Sequence, residues 1–308
     1  MAASRQRLPD GRWHFQHGPM DIVIGADPVG PHGPAAVAEA HENAWARFVP
    51  LLDELMQEWP TLRLPLQASQ PCPLQGEVAR RMWQACLPWA AQQFITPMAA
   101  VAGSVAQALV GSYQRPGVAR AWVNNGGDIA LHLAPGQSAR VGLYADLARL
   151  PVHGWGQDIQ LDGAFDVTHA MPVRGVATSG WRGRSFSFGI ADSVTVLAAT
   201  AAQADAAASM IANAVNVDHP GIVRQPAHSL RDMTDLGDLA ATVDVPQLPS
   251  SLVQQALQAG WQCARECQAQ GWIAAAFLVC QGQSMALTLG GAVDGEQVSF
   301  GNEALALA

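Results

Sequence analysis

Lysine is absent from the 308-residue chain, so all 17 of its basic side chains are arginines. This excludes catalysis through a Schiff base on lysine, and it excludes a P-loop, which requires a Gly-Lys pair. Arginine remains suited to phosphate, because its planar guanidinium can donate two parallel hydrogen bonds. Only 14% of the residues are charged and the net charge is −8, which argues against a nonspecific nucleic-acid surface.

The chain also has few cysteines and no long apolar run. The five cysteines form no CxxC pair, and their odd number favours reduced thiols in a reducing compartment over a disulfide framework. The N-terminal segment MAASRQRLPDGRWHFQHGPMD contains no apolar core of a signal peptide. No run of about 18 apolar residues occurs, as a membrane-spanning helix would require. From these absences we expect a cytoplasmic protein that does not span a membrane.

Helical patterns are mixed with short strands along the chain. Apolar periodicity predicts a helix from Pro34 to Trp59, which Pro50 kinks or divides. Thr96 and Pro97 suit the N-cap and the first position of a further helix. Long helices followed by meandering strands favour an α+β fold, with mixed and mostly antiparallel sheets and packed helices, over a doubly wound parallel sheet.

Strands are predicted from β-branched and alternating residues. The segment SVTVLA, residues 193–198, reads as a good strand, and GRSFSFG (183–189) and EQVSF (296–300) also look extended. No internal repeat and no long linker is visible. We therefore expect a single domain over residues 1–308, with a motif-bearing core at about 13–215 and a C-terminal helix and strands at 249–301 that complete the fold.

The segment AWVNNGGDIALHL, residues 121–133, places polar residues and glycines between two short apolar strands. Asn-Gly supplies the positive φ of a tight hairpin, so a plain turn explains Asn125 and Gly126. A plain turn does not need a second glycine followed by aspartate. Gly127 would let a ligand lie against the backbone, and Asp128 could bind a ribose hydroxyl or a ring nitrogen. Both interpretations stay open on the residues alone.

A polar stripe runs along the helix predicted over residues 201–215. At 100° per residue, Asp205, Ser209, Asn213 and Asn216 fall within about 80° of one another on a helix that is otherwise apolar. Short oxygen-bearing side chains suit a hard cation such as magnesium, and Asp205 and Ser209, at i and i+4, could share one ion. The alternative is that Ser209 and Asn213 bind backbone in the core while Asp205 is solvated.

Three segments taken together resemble a known family: FITPMAAVAGSVAQAL, VNNGGDIAL and VATSGWRGRSFSFGIADSVTVLAATAAQADAAAS. They resemble the ApbE superfamily, the FAD:protein FMN transferases, and are closest to its cytoplasmic ApbE-like branch. The resemblance implies a T-fold-like α+β architecture with an FAD-sized cleft. In the transferases an ADALAT pattern holds magnesium. This chain reads ADAAAS, so the resemblance implies that Asp205 matches the aspartate and Ser209 the threonine of a magnesium site.

The same resemblance implies a flavin ligand, FAD or FMN, either as substrate or as bound cofactor. The NNGGD turn and a Thr-Ser-Gly segment would line its cleft. The residues assigned to this lining are Asn124, Asn125, Gly126, Gly127, Asp128, Thr178, Ser179 and Gly180. The expected partner is a small nucleotide, not a nucleic acid or a membrane, and a homodimer stays open.

One feature of the transferases is missing. Their Thr-Ser-Gly is followed by His-x-x-Asp-Pro-x-Thr-Gly, whose histidine is central to transfer, whereas here it is followed by WRGRSFSFG. Arginine cannot act as a general base at neutral pH. Arg182 and Arg184 could instead bind phosphate oxygens or could be solvated loop residues, and Arg174 could assist them. Asp128 and His17 are candidates for the base.

Three functions stay open on the sequence. The first is a magnesium-assisted transferase or hydrolase acting on FAD or a similar pyrophosphate, with Arg182, Arg184 and Asp128 as catalytic candidates. The second is a protein that binds a flavin or another nucleotide without chemistry, which the missing histidine favours. The third is an enzyme that uses the same cleft for a different small molecule.

Overall fold

The computed structural model describes residues 2–143 and 163–289. Within these residues the helices are α1 (Gly33–Phe48), α2 (Leu51–Gln57), α3 (Trp59–Leu62), α4 (Glu77–Cys86), α5 (Val101–Val110), α6 (Ala201–Ala214), α7 (Ala227–Leu230) and α8 (Ser250–Ala269). The strands are β1 (Ser4–Arg7), β2 (Trp13–His17), β3 (Met20–Pro28), β4 (Val118–Asn125), β5 (Asp128–Leu133), β6 (Ser138–Leu143), β7 (Gly163–Thr168), β8 (Gly175–Ser179), β9 (Ser193–Ala198), β10 (Val223–Pro226), β11 (Ala240–Asp244), β12 (Ala275–Cys280) and β13 (Gln283–Leu287). Three short 3-10 turns cover Leu87–Trp89, Pro97–Ala100 and Gly111–Tyr113.

The chain divides into two compact units. The first comprises Met1–Ala139, Thr168–Ala177 and Leu197–Ala206, and the second comprises Arg140–Val167, Thr178–Val196 and Ala207–Ala308. Both units combine helices with strands that pair antiparallel. The α+β prediction is therefore confirmed. The expectation of a single domain stays a prediction.

The first unit is built around a meander of strands. Its strands lie in the order β1-β2-β3-β4-β5-β8, and each neighbouring pair is antiparallel. Strand β4 alternates between buried and half-buried residues, because successive side chains point to opposite faces of a sheet. Helix α1 packs against β3 and β4, and helix α5 packs against β4 and β5. This packing brings the beginning of α5 to the turn between β4 and β5.

The second unit contains strands β9, β12 and β13 as neighbours, with β12 and β13 antiparallel. Helix α8 packs against β12 and β13 through an apolar face that includes Val253, Leu257 and Ala264. Strands β10 and β11 form a separate antiparallel ribbon with α7 between them. We call residues 223–244 of this ribbon the arm.

Local predictions of helix boundaries are confirmed. Pro50 divides the long helical pattern, since α1 ends at Phe48 and α2 begins at Leu51. Thr96 caps the next helical segment, because its Oγ1 accepts a hydrogen bond from the N–H of Met98 at 3.2 Å. The segment begins as a 3-10 turn and continues as α5, which a propensity argument does not resolve.

The strand predictions had mixed outcomes. The strand predicted at residues 193–198 is β9. The extended prediction for residues 183–189 is wrong, because this segment is an irregular loop. Aromatic residues that alternate with serine imitate a strand there, but the backbone groups bind side chains and a neighbouring strand instead of a ladder. The predicted strand EQVSF lies outside the described residues.

No helix in the described ranges is long and apolar enough to cross a bilayer.

A hydrogen bond between a half-buried ring, His41, and a buried ring, Tyr113, ties α1 to the 3-10 turn that follows α5. His41 Nδ1 and the Tyr113 hydroxyl lie 2.7 Å apart. Burial, with a smaller effect of Arg7, lowers the pKa of His41 to about 4, and burial raises the pKa of Tyr113 above its usual range. Both rings are therefore neutral near pH 7. This neutral pair stabilises the folded state only while His41 stays unprotonated.

We predict that His41 makes the fold acid-sensitive between pH 6.5 and 4. The folded state binds fewer protons than the unfolded state in this window, so stability falls as the pH falls through it. In His41→Gln, whose amide can still bond the Tyr113 hydroxyl, the melting temperature should depend less on pH across this window. His32→Gln, at an exposed histidine, is the control. Equal pH slopes in wild type and His41→Gln would contradict the assignment.

Candidate functional site

The turn between β4 and β5 needs both of its glycines. Asn125 pairs with Asp128 across the two strands, which leaves Gly126 and Gly127 as the two central residues. Their φ angles are 69° and 114°, as expected of a type I′ turn with positive φ at both positions. The sequence argument that the second glycine exceeds the needs of a turn is therefore wrong. Whether Gly127 also contacts a ligand stays a prediction.

The two asparagines of this turn have structural partners. The Asn124 Oδ1 accepts a hydrogen bond from the N–H of Gly127 at 2.9 Å and so braces the turn. Asn125 is 8% exposed, and its Nδ2 donates to the carbonyl of Ala102 at 3.1 Å, which ties the turn to α5. On the outer side, nothing lies within 4 Å of where a Cβ at Gly127 would stand. Hydrogen bonds thus hold the turn on its α5 side, while the space beside Gly127 stays open.

Helix α6 begins close against α5, and a glycine makes this approach feasible. A Cβ on Gly103 would lie 2.3 Å from the carbonyl oxygen of Ala201 and 2.9 Å from the Cβ of Asp205. The first turn of α6 is fixed by two further contacts: Thr200 Oγ1 accepts from the N–H of Gln203, and Gln107 Oε1 accepts from the N–H of Ala202. These contacts set the direction of the Asp205 side chain.

Asp205 caps α5 from a neighbouring helix. Its Oδ2 accepts the N–H of Gly103 at 2.8 Å, and the N–H of Ala102 also donates to the carboxylate. The residue in the N-cap position of α5, Ala100, has no side chain that could accept these bonds. A carboxylate at a helix N-terminus satisfies unpaired N–H groups and interacts favourably with the helix dipole. The sequence left a solvated Asp205 as the alternative to a metal site, whereas in the structure its carboxylate caps α5.

A second carboxylate lies near the first. Burial, followed by the negative charge of Asp128, raises the pKa of Asp205 well above its ordinary value of 3.8, against the opposing hydrogen bonds from Gly103 and Ala102. Both carboxylates are nevertheless half-buried and keep some solvent-accessible surface. Like charges disfavour the ionised state of both carboxyl groups, and a proton or a cation would offset that repulsion.

Magnesium fits this donor set. Carboxylate oxygens are the ligands that magnesium prefers, and it is commonly held by one or two of them with water and phosphate oxygens completing the shell. In the part of the chain that the structure describes, no group of three or more His, Cys, Asp or Glu side chains could hold a metal ion. Asp128 and Asp205 would therefore act as a pair. Ser209 lies four residues after Asp205 on α6, and its part in a metal site stays a prediction.

Of the other polar residues predicted on this stripe, Asn213 lies on α6, whereas Asn216 lies beyond its end at Ala214. Asn213 Oδ1 accepts hydrogen bonds from the Ser187 hydroxyl at 3.1 Å and from the N–H of Phe188 at 2.9 Å. Asn216 Oδ1 accepts from Arg224 at 2.7 Å. The sequence alternative of hydrogen bonding to backbone therefore holds for Asn213.

The Thr-Ser-Gly segment and its two arginines belong to the second unit. The Thr178 and Thr195 hydroxyls lie 2.9 Å apart, so Thr178 is held by the neighbouring strand. Arg182 and Arg184 are exposed, and the guanidinium of Arg182 stacks on the Trp181 ring at 4.6 Å. Their exposure suits both sequence interpretations, phosphate binding and simple solvation.

Two further candidates from the sequence, Arg174 and His17, are occupied by contacts within the fold. Arg174 donates to the carbonyls of His169, Met171 and Val173 at 2.6–2.9 Å, which commits its guanidinium to the backbone. Burial also lowers the pKa of Arg174. His17 is 7% exposed and packs edge-on against Phe48, in the aromatic core of the first unit. Neither arrangement favours a catalytic role.

A family model described as AbpE bacteria matches residues 5–286 of the chain. The chain belongs to this family. The resemblance of its sequence motifs to ApbE-like proteins is thereby confirmed.

Relatives of this AbpE family protein include several archaeal UPF0280 proteins. The UPF0280 protein of Methanopyrus kandleri is 33% identical over 215 residues, which cover 69% of this chain and 77% of that protein. The UPF0280 protein of Methanospirillum hungatei is 39% identical over 124 residues, 40% of this chain. The chain spans about half the length of the first curated relatives it matches, 46% for Methanospirillum hungatei and 48% for Methanosphaerula palustris.

Solved structures resemble the AbpE family protein only distantly. The flavinyl transferase ApbE of Pseudomonas stutzeri, in its apo form, is 12% identical, with 94% of this chain and 96% of that chain covered and a TM-score of 0.41. A TM-score this low supports no comparison of sites.

Sequence reasoning singled out Asp205 but missed the groups that hold its carboxylate. These are the backbone N–H groups of Ala102 and Gly103, which carry no side-chain signal. The run of small residues at the start of α5 was the available indication, because it permits close backbone approach.

We predict that Asp205→Asn stabilises the protein above pH 4 when no metal is added. The raised pKa means that the folded state holds a proton that the unfolded state has lost, so stability falls as the pH rises from the ordinary carboxyl range towards the raised pKa. Asparagine removes this cost and can still accept the N–H of Gly103. The melting temperature of the variant should exceed that of wild type by an amount that grows with pH, where 1 kcal/mol corresponds to roughly 2–4 °C. A difference that does not change with pH would contradict the account.

Proposed function

We propose that this protein binds a flavin nucleotide, or a similar ligand containing a pyrophosphate, together with magnesium at Asp128 and Asp205. The observation that supports the proposal is the Asp205 carboxylate at the beginning of α5, with the charge of Asp128 close enough to raise its pKa. Such a pair is unfavourable on its own and becomes favourable when a divalent cation offsets its charge. The choice of a flavin comes from the ApbE-like family.

The turn beside the carboxylates offers a place for the nucleoside. Its outer face at Gly127 is free of side chains, so a flat ligand could lie directly on the backbone. The turn is braced by Asn124 and tied to α5 by Asn125, so it would keep its shape when a ligand binds. Arg182 and Arg184 would neutralise phosphate charge, and Thr178, Ser179 and Gly180 would line the cleft, as the family resemblance implies.

The chemistry proposed is cleavage or transfer at the FAD pyrophosphate. An acceptor oxygen or water would bond to the phosphorus on the flavin side, and the P–O bond to the adenylate would break, which gives FMN or an FMN adduct and releases AMP. Bound magnesium would supply positive charge that stabilises the phosphate oxygens. Asp205 and Asp128 would hold the ion while Asp205 also caps α5, and the Asp128 oxygen that does not bind the ion could take the proton from the acceptor.

A second function, nucleotide binding without chemistry, is favoured by one specific feature. The histidine that follows Thr-Ser-Gly in the transferases is missing, and Arg182 and Arg184 occupy that region instead. Arginine binds phosphate but does not remove a proton at neutral pH. An enzyme for another small molecule is the third candidate.

Titration with FAD in the presence and absence of magnesium tests the proposal. At 100 times the dissociation constant, a ligand that binds only the folded state stabilises it by about 2.7 kcal/mol. At roughly 2–4 °C per kcal/mol, the melting temperature should rise by about 5–10 °C. Asp128→Asn and Asp205→Asn should each lose most of the magnesium-dependent part of this rise. Asp53→Asn, at an exposed carboxylate of α2, is the matched control.

The products distinguish the candidate functions. Conversion of FAD to FMN and AMP that stops on chelation of magnesium supports the transferase or hydrolase, whereas binding without products supports the binding protein. If FAD neither binds nor reacts in wild type, both flavin functions are contradicted.

A further inference from the structure

The loop that carries Arg182 and Arg184 depends on outside contacts for its shape. Residues 181–189 form neither helix nor strand. Backbone N–H and C=O groups that are not paired within regular structure need other partners when they are shielded from water. The partners of this loop therefore decide where its two arginines stand.

Two of the partners fix the C-terminal half of the loop. The N–H of Thr242, on strand β11 of the arm, donates to the carbonyl of Ser187 at 2.8 Å. Asn213, on α6, accepts from the N–H of Phe188 and from the Ser187 hydroxyl. The buried position of Ser187, which is 1% exposed, agrees with this double attachment.

The third partner is Arg231, which lies directly after α7 in the arm. Its Nη2 donates to the carbonyl of Arg184 at 3.0 Å, and its guanidinium carbon lies 4.9 Å from the centre of the Phe186 ring. The N–H of Arg231 donates to the carbonyl of Ala227, so its own backbone is held by α7. Arg231 thus contacts both a backbone oxygen and an aromatic ring of the same loop.

A guanidinium suits this double contact better than an ammonium group. It is planar, so it can stack on an aromatic face and still donate hydrogen bonds from its edge. Lysine could replace the charge and the hydrogen bond but not the planar stacking. Arg231 is therefore more than a generic positive charge on the arm.

We propose that Arg231 is a positioning residue that fixes the loop bearing Arg182 and Arg184. Its importance for ligand binding rests on the proposed function, in which these two arginines bind phosphate. In this proposal the arm stabilises the phosphate-binding loop and does not touch the ligand.

Hydrogen–deuterium exchange tests the structural part without any ligand. In Arg231→Ala, the amides of residues 183–188 should exchange about tenfold faster, since a hydrogen bond and a cation–π contact are lost. Arg231→Lys should fall between the alanine variant and wild type. Arg265→Ala is the matched control, because Arg265 stacks on Trp261 at 5.2 Å elsewhere in the same unit. Unchanged exchange at 183–188 in Arg231→Ala overturns the proposal.

FAD titration with magnesium tests the functional part. Arg231→Ala should weaken FAD binding several-fold in the wild-type background and should add no further loss in the Arg182→Gln/Arg184→Gln double variant, because it acts through those side chains. A full additional loss in that background, or unchanged affinity despite faster exchange, overturns the positioning role. If wild type binds no FAD, the proposed function fails, and the exchange experiment alone decides whether Arg231 holds the loop.

Discussion

The contact on which the candidate site depends is the carboxylate of Asp205 on the first N–H groups of α5. One side chain replaces the missing N-cap of α5, ties the first turn of α6 to that of α5, and brings its carboxyl group close enough to Asp128 for the Asp128 charge to raise its pKa. Gly103 allows the two helices to approach closely enough for this contact. Without that glycine the carboxylate could not reach the helix terminus in the same position.

This arrangement is unfavourable for the empty protein. A half-buried acid with a raised pKa and a second acid beside it reduce the free energy of unfolding near neutral pH, although the backbone N–H groups recover part of the loss. Perturbed carboxyl pairs of this kind concentrate at sites that bind cations or handle protons, but structural networks produce them as well. The pair therefore marks the turn between β4 and β5 as the candidate site.

Features that depend on local pattern were predictable from the sequence. The division at Pro50, the cap at Thr96, strand β9 and the limits of α6 follow from propensity and periodicity. The stripe of short polar side chains on α6 led to Asp205, because such residues are unusual on an otherwise apolar helix. The type I′ turn was predictable only in part. The sequence accounted for Gly126, but the need for positive φ at Gly127 depends on the strand register.

Features that depend on long-range backbone contacts were not predictable. The loop at residues 183–189 imitates a strand in its pattern, yet its groups bind Asn213, Thr242 and Arg231, which are distant in the sequence. The sequence left Arg174 available for phosphate, whereas in the structure its guanidinium donates to three backbone carbonyls. Such contacts leave no periodic signal in a single sequence, because at least one of the two bonded atoms belongs to the backbone.

The most direct test of the central contact is an NMR titration of the Asp205 carboxyl carbon in wild type and in Asp128→Asn. The account predicts that the Asp205 pKa in wild type lies well above its ordinary value of 3.8 and becomes lower when the neighbouring charge is removed. An Asp205 carboxyl that titrates at its ordinary value, and is indifferent to Asp128→Asn, would mean that the two carboxylates do not meet at the beginning of α5.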